Sequence, residues 1–402
     1  MATTRVLILS WEYPPLVEGG LARHVRKLSE QLVRHDVEVH VLTRGQVRMR
    51  AHEEVAGVHV HRLREPRKPR DLDEFLTWIE QMNGDMVTAG LELGERLRFD
   101  LVHGHDWLVA AAGEELAKAL GCPWVVTIHA TEYGRHQGWV DRHPQSHIHA
   151  VETWMARSAD AVITCSHYMR DHVTDVYALD DASVAVIPNG IDPLDLQAVE
   201  DLDALRARFA APHERLVLLV GRLVYEKGFQ IALEALPGVI ERLGDVRFLV
   251  AGSGTAEREL RRQAARLGLR RHGTFMGWIG DDMLHSLYRI ADLTVVPSIY
   301  EPFGLVALEA MASGCPTIVA DTGGLREVVP NEEVGLRFRS RDPRSLATMM
   351  ERVLSDDPLR ERLIAEASEH VLRFDWADIA RQTRDVYGEL LRGGELRPGL
   401  AV

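Results

Sequence analysis

Cysteine is scarce in this chain of 402 residues. Cys122, Cys165 and Cys315 are its three cysteines, and no two of them form a CxxC pair. Isolated thiols of this kind argue against a disulfide framework and against a cysteine-based zinc site. They are typical of a reducing compartment, where cysteine packs as a small hydrophobic residue.

Long apolar runs are also missing. The first one, in MATTRVLILSWEYPP, stops before Trp11 and Glu12. It is too short for a signal-peptide core, and no run approaches the roughly 18 residues of a membrane-spanning helix. We therefore expect a cytoplasmic protein.

The chain has no excess of basic charge, no repeats and no low-complexity tracts. A formal net charge of −13 argues against a general nucleic-acid binder, which must neutralise phosphates. Apolar residues make up 46% and charged residues 27%, as in ordinary globular proteins, and the length favours two domains.

Two cofactor signatures are absent from the sequence. The nearest imitation of GxGxxG is GSGTAE at 252–257, where Glu257 replaces the third glycine, and this weakens a nicotinamide-binding interpretation. No DxD pair of carboxylates follows a predicted strand, so the sequence has no metal-binding motif of that kind. We expect no organic cofactor.

Short aliphatic runs alternate with helical patterns along the whole chain, which predicts βα units around parallel sheets. The first series of predicted strands is 5–10, 37–43, 100–105, 123–130, 161–166 and 183–188. A second series follows at 216–223, 246–254, 273–278, 293–298 and 316–321.

The turn sequence PNGIDP, which follows Ile187, marks the predicted domain junction. We predict an N-terminal Rossmann-like domain over 1–192, a C-terminal Rossmann-like domain over 193–372 and a helical segment over 373–402. In that last segment Trp376, Ile379, Val386 and either Leu390 or Leu391 form the apolar side. Two such domains should place ligands in a cleft at the carboxyl ends of their strands.

The first motif with chemical meaning is WEYPPLVEGGLARHV, in which Gly19 and Gly20 precede a helix. Paired glycines at a helix start let backbone N–H groups approach an anion, and the helix dipole adds attraction. A plain strand-to-helix turn would look the same.

The second motif is VGRLVYEKGF, in which Arg222 and Lys227 follow a strong strand. The planar guanidinium of Arg222 and the flexible ammonium of Lys227 could together hold a diphosphate. Taken alone, two cations in a loop are more often solvated surface.

The third motif is EPFGLVALEAMASGCP, with Glu301 before a short helix and Glu309 inside it. A helix starting near Gly304 offers free N–H groups to an anion, and the carboxylates can accept hydrogen bonds from hydroxyl groups. Leu305, Leu308 and Met311 read as core residues around Glu309, so its charge needs a partner.

These three motifs, with DTGGLREVV, resemble those of the retaining glycosyltransferases of family 4, which have the GT-B fold. The resemblance covers nearly the whole chain and is most specific in the EPFG block. Within the family it is most similar to glycogen-synthase-like α-glucosyltransferases of actinobacteria.

The resemblance implies a role for each matching residue. Glu301 would lie near the transferred sugar, Arg222 and Lys227 would neutralise the diphosphate, and Glu309 would bind the ribose hydroxyls. His129 would contact the donor sugar, and Asp106 is an acceptor-site candidate. The remaining donor-side positions implied by the match are Gly19, Gly20, Gly221, Trp278, Ile279, Phe303, Gly304, Leu305 and Val306.

The implied reaction moves glucose from UDP- or ADP-glucose to an α-glucan, with front-face attack and without metal. Cations and helix N-termini would stabilise the departing diphosphate. The base, the acceptor, the linkage and the oligomeric state stay open. The alternatives are a lipid or small-molecule acceptor with, for example, GDP-mannose, a GT-B sugar-nucleotide epimerase or hydrolase, and a non-catalytic binding module.

Two further stretches are of interest. Histidines at 103, 105, 129, 136, 143, 147 and 149 are spread from a strand end into a loop, and we expect structural or substrate-facing roles rather than a metal site. In that loop Tyr133, Arg135 and Trp139 could line an acceptor groove, although packing is an equal interpretation. The basic stretch 62–70 could touch anionic lipid, but its prolines favour a solvated loop.

Overall fold

The chain folds as two α/β units. The computed structural model describes residues 3–65, 67, 69–196 and 201–393. The first unit runs from the N-terminus to Gly190 and resumes at Trp376, and the second spans Ile191–Asp375. The sequence pattern places these divisions at 192 and 372.

The first unit contains one eight-stranded sheet. In chain order its strands are β1 (Thr4–Leu9), β2 (Val37–Gly45), β3 (His52–Val55), β4 (Val58–Arg64), β5 (Leu101–His105), β6 (Trp124–Ile128), β7 (Ala161–Thr164) and β8 (Val184–Val186). Their order across the sheet is β3-β4-β2-β1-β5-β6-β7-β8, and every pair is parallel except β3–β4. Its helices are α1 (Gly20–Arg34), α2 (Leu72–Gly94), α3 (Ala110–Leu120), α4 (Glu132–Arg135), α5 (Gln145–Ser158), α6 (His167–Tyr177) and, at the far end of the chain, α15 (Trp376–Leu391).

Helix α15 completes the core of the first unit by packing on α1. Trp376, Ile379 and Val386 are buried in the same cluster as the valines of β2 and β4. Leu390 packs against this cluster, whereas Leu391 is 41% exposed, which settles the choice that the sequence leaves open. The helix is amphipathic because its apolar residues recur at helical spacing.

The second unit contains a six-stranded, fully parallel sheet. Its strands are β9 (Arg215–Val220), β10 (Val246–Ala251), β11 (Gly273–Gly277), β12 (Leu293–Val296), β13 (Thr317–Ala320) and β14 (Leu336–Phe338), in the order β11-β10-β9-β12-β13-β14. Its helices are α7 (Leu202–Ala207), α8 (Phe229–Leu243), α9 (Glu257–Arg266), α10 (Asp281–Ile290), α11 (Leu305–Ala312), α12 (Leu325–Val328), α13 (Pro343–Ser355) and α14 (Asp357–His370). The predicted class, α/β with two parallel-sheet Rossmann-like domains, is confirmed.

The basic stretch 62–70 differs from the predicted solvated loop at its start. Residues 62–64 end strand β4, and Arg62 is 7% exposed. Its guanidinium lies 2.7 Å from the Glu53 carboxylate and donates to the Pro14 carbonyl. The prediction missed this because neighbouring prolines and charges hid the strand. Residues 66 and 68 lie outside the described part of the chain.

None of the three cysteines forms a disulfide, and Cys165 and Cys315 are buried. Burial raises the pKa of the Cys315 thiol to about 12, so it packs as an inert small residue. Among the residues described, none of the helices combines the length and apolar composition needed to cross a bilayer.

Candidate active site

An ion pair lies at the end of β12 in the second unit. Lys227 Nζ is 2.8 Å from Glu301 Oε2, and Ser298 Oγ donates to the same oxygen over 2.9 Å. The Lys227 side chain is 23% exposed and that of Glu301 is 12% exposed. The charge of Glu301 is therefore paired with that of Lys227, the lysine for which the sequence predicts a role in phosphate binding.

Glycines surround this pair at positions where a side chain would collide with backbone. Lys227 ends a short 3₁₀ turn, and Gly228 follows it with φ +70°. A Cβ on Gly228 would lie 1.9 Å from the Pro297 carbonyl oxygen, and one on Gly324 would lie 2.2 Å from that of Pro302. These close approaches bring the loop after β9, the end of β12 and the loop before α12 together around Glu301.

Helix α11 begins directly after Gly304, which has φ +124°. This conformation is rarely available to other residues, and it turns the chain into the helix immediately after the EPFG stretch. Its first-turn N–H groups have no intrahelical acceptor and can bind an anion. Phe303 is buried against Phe374, with ring centroids 5.8 Å apart, so its side chain is a core contact.

Glu309 lies on α11 and has a different partner. The Tyr288 hydroxyl, on α10, donates to Glu309 Oε2 over 2.9 Å. Leu308 and Met311 are fully buried as predicted, but Leu305 and Val306 are only half-buried. The expectation that Leu305 belongs to the core is wrong, because Leu305 and Val306 form the first turn of α11, and the buried residues of the helix come after that turn.

The other predicted residues of the second unit lie at strand ends. Gly221, with φ +143°, and the exposed Arg222 follow β9. Trp278 and Ile279 follow β11, where Trp278 is 74% exposed and Ile279 packs on the core of the unit. The Gly252 N–H donates to the Gly277 carbonyl over 2.8 Å, which ties the β11 end to the β10 end.

In the first unit, Gly19 and Gly20 open α1 as predicted. Gly19 is the N-cap, with extended backbone at φ −167°, and a Cβ there would meet no atom within 4 Å. Glu12 is 2% exposed, and its carboxylate accepts from the N–H groups of Glu18 and Gly19. Burial raises the pKa of Glu12. Glu12, which sequence reasoning missed, fixes the loop that leads into Gly19.

Asp106, His129 and Arg135 are brought together at the ends of β5 and β6. Asp106 has φ +61° and its Oδ1 accepts from the His129 N–H over 2.8 Å. Burial raises the pKa of Asp106 to about 6, although the positive charge of Arg135 opposes this shift. The same burial lowers the pKa of His129 to about 4, so its imidazole is neutral.

Two further histidines, His24 and His105, lie against His129, and His24 was not among the predicted site residues. His24 lies on the buried face of α1, one turn after Gly20, with its ring centroid 4.5 Å from that of His129. His105 Nδ1 is 3.1 Å from His129 Nε2. Candidate ligand atoms of the three lie within 4.8 Å of one another, so the fold brings His105 and His129 closer together than their spread along the chain suggests. The sequence feature that could have pointed to His24 is its position four residues after Gly20, which is one helical turn from the predicted anion-binding glycines.

The short helix α4 carries Tyr133 and Arg135, and the buried carboxylate of Glu152 accepts from the backbone at its first residue. Tyr133 is 37% exposed and Trp139 is 77% exposed. Both oxygens of the buried Glu152 accept from the Glu132 N–H, at 2.9 and 3.0 Å, and the Tyr177 hydroxyl donates to Oε2. Burial raises the pKa of Glu152 to about 8. Glu152 thus positions the turn on which both acceptor candidates lie.

Histidines further along the loop have ordinary partners. His136 Nε2 lies 3.1 Å from Glu132, and His143 Nε2 lies 3.1 Å from Asp73. His143 and His147 have ring centroids 6.3 Å apart. These contacts involve three of the histidines for which the sequence predicts structural or substrate-facing roles.

Comparison with known proteins identifies the family. A model described as "Glycosyl transferases group 1" matches residues 203–370, and a "Glycosyl transferase 4-like domain" matches residues 19–190. The chain is 38% identical over 406 residues to the glycogen synthase of Mycobacterium tuberculosis, which covers 97% of this chain and 95% of the relative. The chain belongs to the group 1 glycosyl transferases. It is also 36% identical to an uncharacterised glycosyltransferase of Methanocaldococcus jannaschii, over 95% of this chain and 97% of that protein.

Solved structures of glycosyltransferases share this fold. A sucrose-phosphate synthase from Thermosynechococcus elongatus matches with a TM-score of 0.83 and 27% identity, covering 97% of this transferase and the whole of that chain. The catalytic domain of starch synthase IV from Arabidopsis thaliana matches with a TM-score of 0.77 at 18% identity, over 97% and 99% of the two chains. The GT-B class of the fold is thereby confirmed.

Proposed function

We propose that this transferase moves glucose from UDP- or ADP-glucose to an α-glucan, with retention of configuration at the anomeric carbon. The proposal rests on one observation above all: Lys227 is ion-paired with Glu301 at a strand end, beside the glycine-initiated helix α11. The 38% identity to a glycogen synthase supports the choice of sugar and acceptor.

The proposed donor half of the site lies in the second unit. Cleavage of the sugar–phosphate bond develops negative charge on the diphosphate, which Lys227, Arg222 and the first turn of α11 would stabilise. Electrostatic contacts that strengthen as charge develops lower the barrier. In this proposal the protein needs no metal ion and no organic cofactor.

Glu301 and Glu309 have separate roles in this proposal. Glu301 would accept hydrogen bonds from hydroxyl groups of the transferred glucose, while its contact with Lys227 holds both groups in place. Glu309 would accept from the ribose hydroxyls, in a position set by Tyr288. Trp278 and Ile279 would border the base.

The proposed acceptor half lies in the first unit. Asp106, Tyr133 and Arg135 would bind the glucan, and the neutral imidazole of His129 would contact the donor sugar. Gly19 and Gly20 would offer the N–H groups of α1 to the phosphates. The departing diphosphate would accept the acceptor proton, so that the new bond forms on the face that the leaving group vacates. We place this reaction in the cytoplasm.

The test measures nucleotide release from UDP-glucose, ADP-glucose and GDP-mannose, each with and without a short α-1,4-glucan, in a metal chelator. Glucan-dependent release from a glucose donor supports the proposal and identifies the base. Release at the same rate with and without acceptor would instead identify a hydrolase.

A small phosphorylated acceptor is the second candidate. The chain is 32% identical to a D-inositol 3-phosphate glycosyltransferase of Xylanimonas cellulosilytica, over 96% of both chains. The same assay should therefore include inositol 3-phosphate. Release that responds to this compound and not to glucan would replace the glucan proposal while keeping the donor site.

A further inference from the structure

One face of the first unit's sheet carries a cluster of histidines and a glutamate, outside the proposed active site. We call it the β2–β4 histidine cluster; its members are Glu38, His40, His52, His59 and His61. They share a face because the strand register pairs His40 with His59 and His52 with His61. The alternate valines of β2 and β4 point the other way, into the core.

The side chains of this cluster are in direct contact. His40 Nε2 lies 3.0 Å from Glu38 Oε1, and His40 Nδ1 lies 3.0 Å from His61 Nε2. The His40 and His59 rings stack with centroids 4.6 Å apart. His52 lies against His61, with centroids 4.8 Å apart. Ligand atoms of Glu38, His40 and His59 all lie within 4.8 Å of one another.

Solvent reaches this cluster from one side. His40 is 4% exposed, the His59 side chain is 30% exposed, and His52 is exposed at the edge strand β3. An ion could therefore enter from water and meet partly desolvated donors. Neutral imidazole is the form that binds metal.

We infer that Glu38, His40 and His59 form a binding site for one divalent transition-metal ion of the zinc class. Two histidines and one carboxylate, with a fourth position open to water, are a common zinc donor set. Donor atoms around zinc lie about 3.3 Å apart when the bonds are about 2.0–2.1 Å. The observed 3.0 Å between His40 and Glu38 is close to this value, and the His59 donor, which lies within 4.8 Å of both, would move closer to complete the site.

The surroundings of Glu38 fit a ligand role. Arg5 donates to both of its oxygens, at 2.6 and 2.8 Å, which holds the carboxylate plane in place. Hydrogen bonds from outside the ligand set orient metal-binding groups in this way. The Arg5 charge opposes the ion, and Glu54, 4.0 Å from His59, offsets part of it.

Such an ion would join β2 to β4 and so secure the β3–β4 hairpin at the edge of the sheet. Because the folded chain binds it and the unfolded chain lacks the assembled site, metal would raise the stability of the first unit. The site does not depend on the proposed transferase chemistry, since none of its residues has a role there. The other histidine group, His24 with His105 and His129, belongs to the candidate active site.

The test uses the full chain, freed of any affinity tag and stripped of metal with a chelator. The chain is titrated with zinc, and calorimetry measures the binding and the melting temperature. We expect one ion per chain and a rise in melting temperature. His59→Gln removes a direct ligand and should lower the affinity by at least about 10–100-fold, the loss typical for a residue that only orients a ligand, and the double variant H40N/H59Q should lower it further. His213→Gln, an exposed histidine of the second unit, is the matched control.

The proposal fails if His59→Gln binds zinc as tightly as the unaltered chain, or if His105→Asn is the substitution that removes binding. Circular dichroism without metal shows whether the double variant folds. If the double variant does not fold, His59→Gln still decides the test, because the His59 side chain is partly exposed and should tolerate the substitution. A cobalt titration gives a second readout, since its absorption spectrum reports the ligands.

Discussion

Lys227 and Glu301 form a partly buried ion pair over 2.8 Å, although 74 residues separate them in the chain. The lysine follows β9 and the glutamate follows β12, and these strands are neighbours in the sheet. Each charge has a partner before any ligand arrives. A donor would therefore enter a site whose two principal charges are already oriented.

Loss of either charge should slow transfer strongly. We expect Lys227→Ala and Glu301→Ala each to lower kcat/KM at least ~100-fold, the size of one transition-state electrostatic contact. Lys118→Ala is the control, since that lysine is exposed on α3. Initial rates of nucleotide release measure the effect, and near-normal rates in both site variants would contradict the assignment.

Glu309 should act on donor binding. Removing a hydrogen bond to a charged group costs about 1.5–3 kcal/mol, so Glu309→Ala should raise the KM for the nucleotide sugar by about 10–100-fold. Tyr288→Phe, which removes only the positioning bond, should raise it less. Glu366→Ala on the exposed face of α14 is the control. A pure loss of kcat with unchanged KM would place Glu309 elsewhere.

The glycine contacts around Glu301 predict a steric effect. Gly324→Ala would force a Cβ to within 2.2 Å of the Pro302 carbonyl oxygen, so the loop that carries Glu301 must move. We expect lower stability and at least ~100-fold lower activity, because a displacement of about 1 Å can cost that much. Gly280→Ala is matched, since a Cβ there meets nothing within 4 Å. Thermal melts and initial rates on both variants decide the matter.

Glu152 should make stability depend on pH. Its folded pKa of about 8 lies above the ordinary value of about 4.3 for a glutamate, so the folded state binds the proton more tightly. Its contribution to stability is complete below about pH 4 and is lost as pH rises through about 8. Glu152→Gln, which resembles the protonated form, should flatten this part of the profile. Urea unfolding between these limits measures it, with the exposed Glu333→Gln as control, and an unchanged slope would contradict the assignment.

Trp376 should contribute strongly to the first unit. It is 6% exposed and packs on His24 and against Gly190, where a Cβ would meet its ring at 2.4 Å. Trp376→Ala should lower the free energy of unfolding by about 3–5 kcal/mol. Leu372→Ala, 66% exposed, should have little effect. Calorimetry would show whether the loss falls on the first unit.

The sequence predicted the buried strands well because central parallel strands are continuous aliphatic runs. Strand β4 was missed because His59 and His61 interrupt its valines, so that no continuous aliphatic run is left, and strand β3 (His52–Val55) was missed because it is short and polar. Strand β14 was missed because Leu336–Phe338 is too short for a periodic signal.

The candidate site was predictable where one motif carries the chemistry, as at Glu301 and Glu309. The partners were not, because contacts such as Lys227–Glu301 and Tyr288–Glu309 depend on strand order and helix rotation. Glu12, His24 and Glu152 gave weak signals for the same reason. Each is a polar residue inside an apolar pattern, and its partner becomes visible only when the elements have packed.

The division of the first unit into two chain segments has a consequence for synthesis on the ribosome. The N-terminal segment emerges first, but its sheet stays without Trp376, Ile379 and Tyr387 until the last helix has been translated. His103 Nδ1 likewise lacks its contact with the Tyr387 hydroxyl, at 2.7 Å, until that helix has been translated. The second unit, which is one continuous segment, can complete its core earlier. The part of the protein that is made first is therefore the part that finishes folding last.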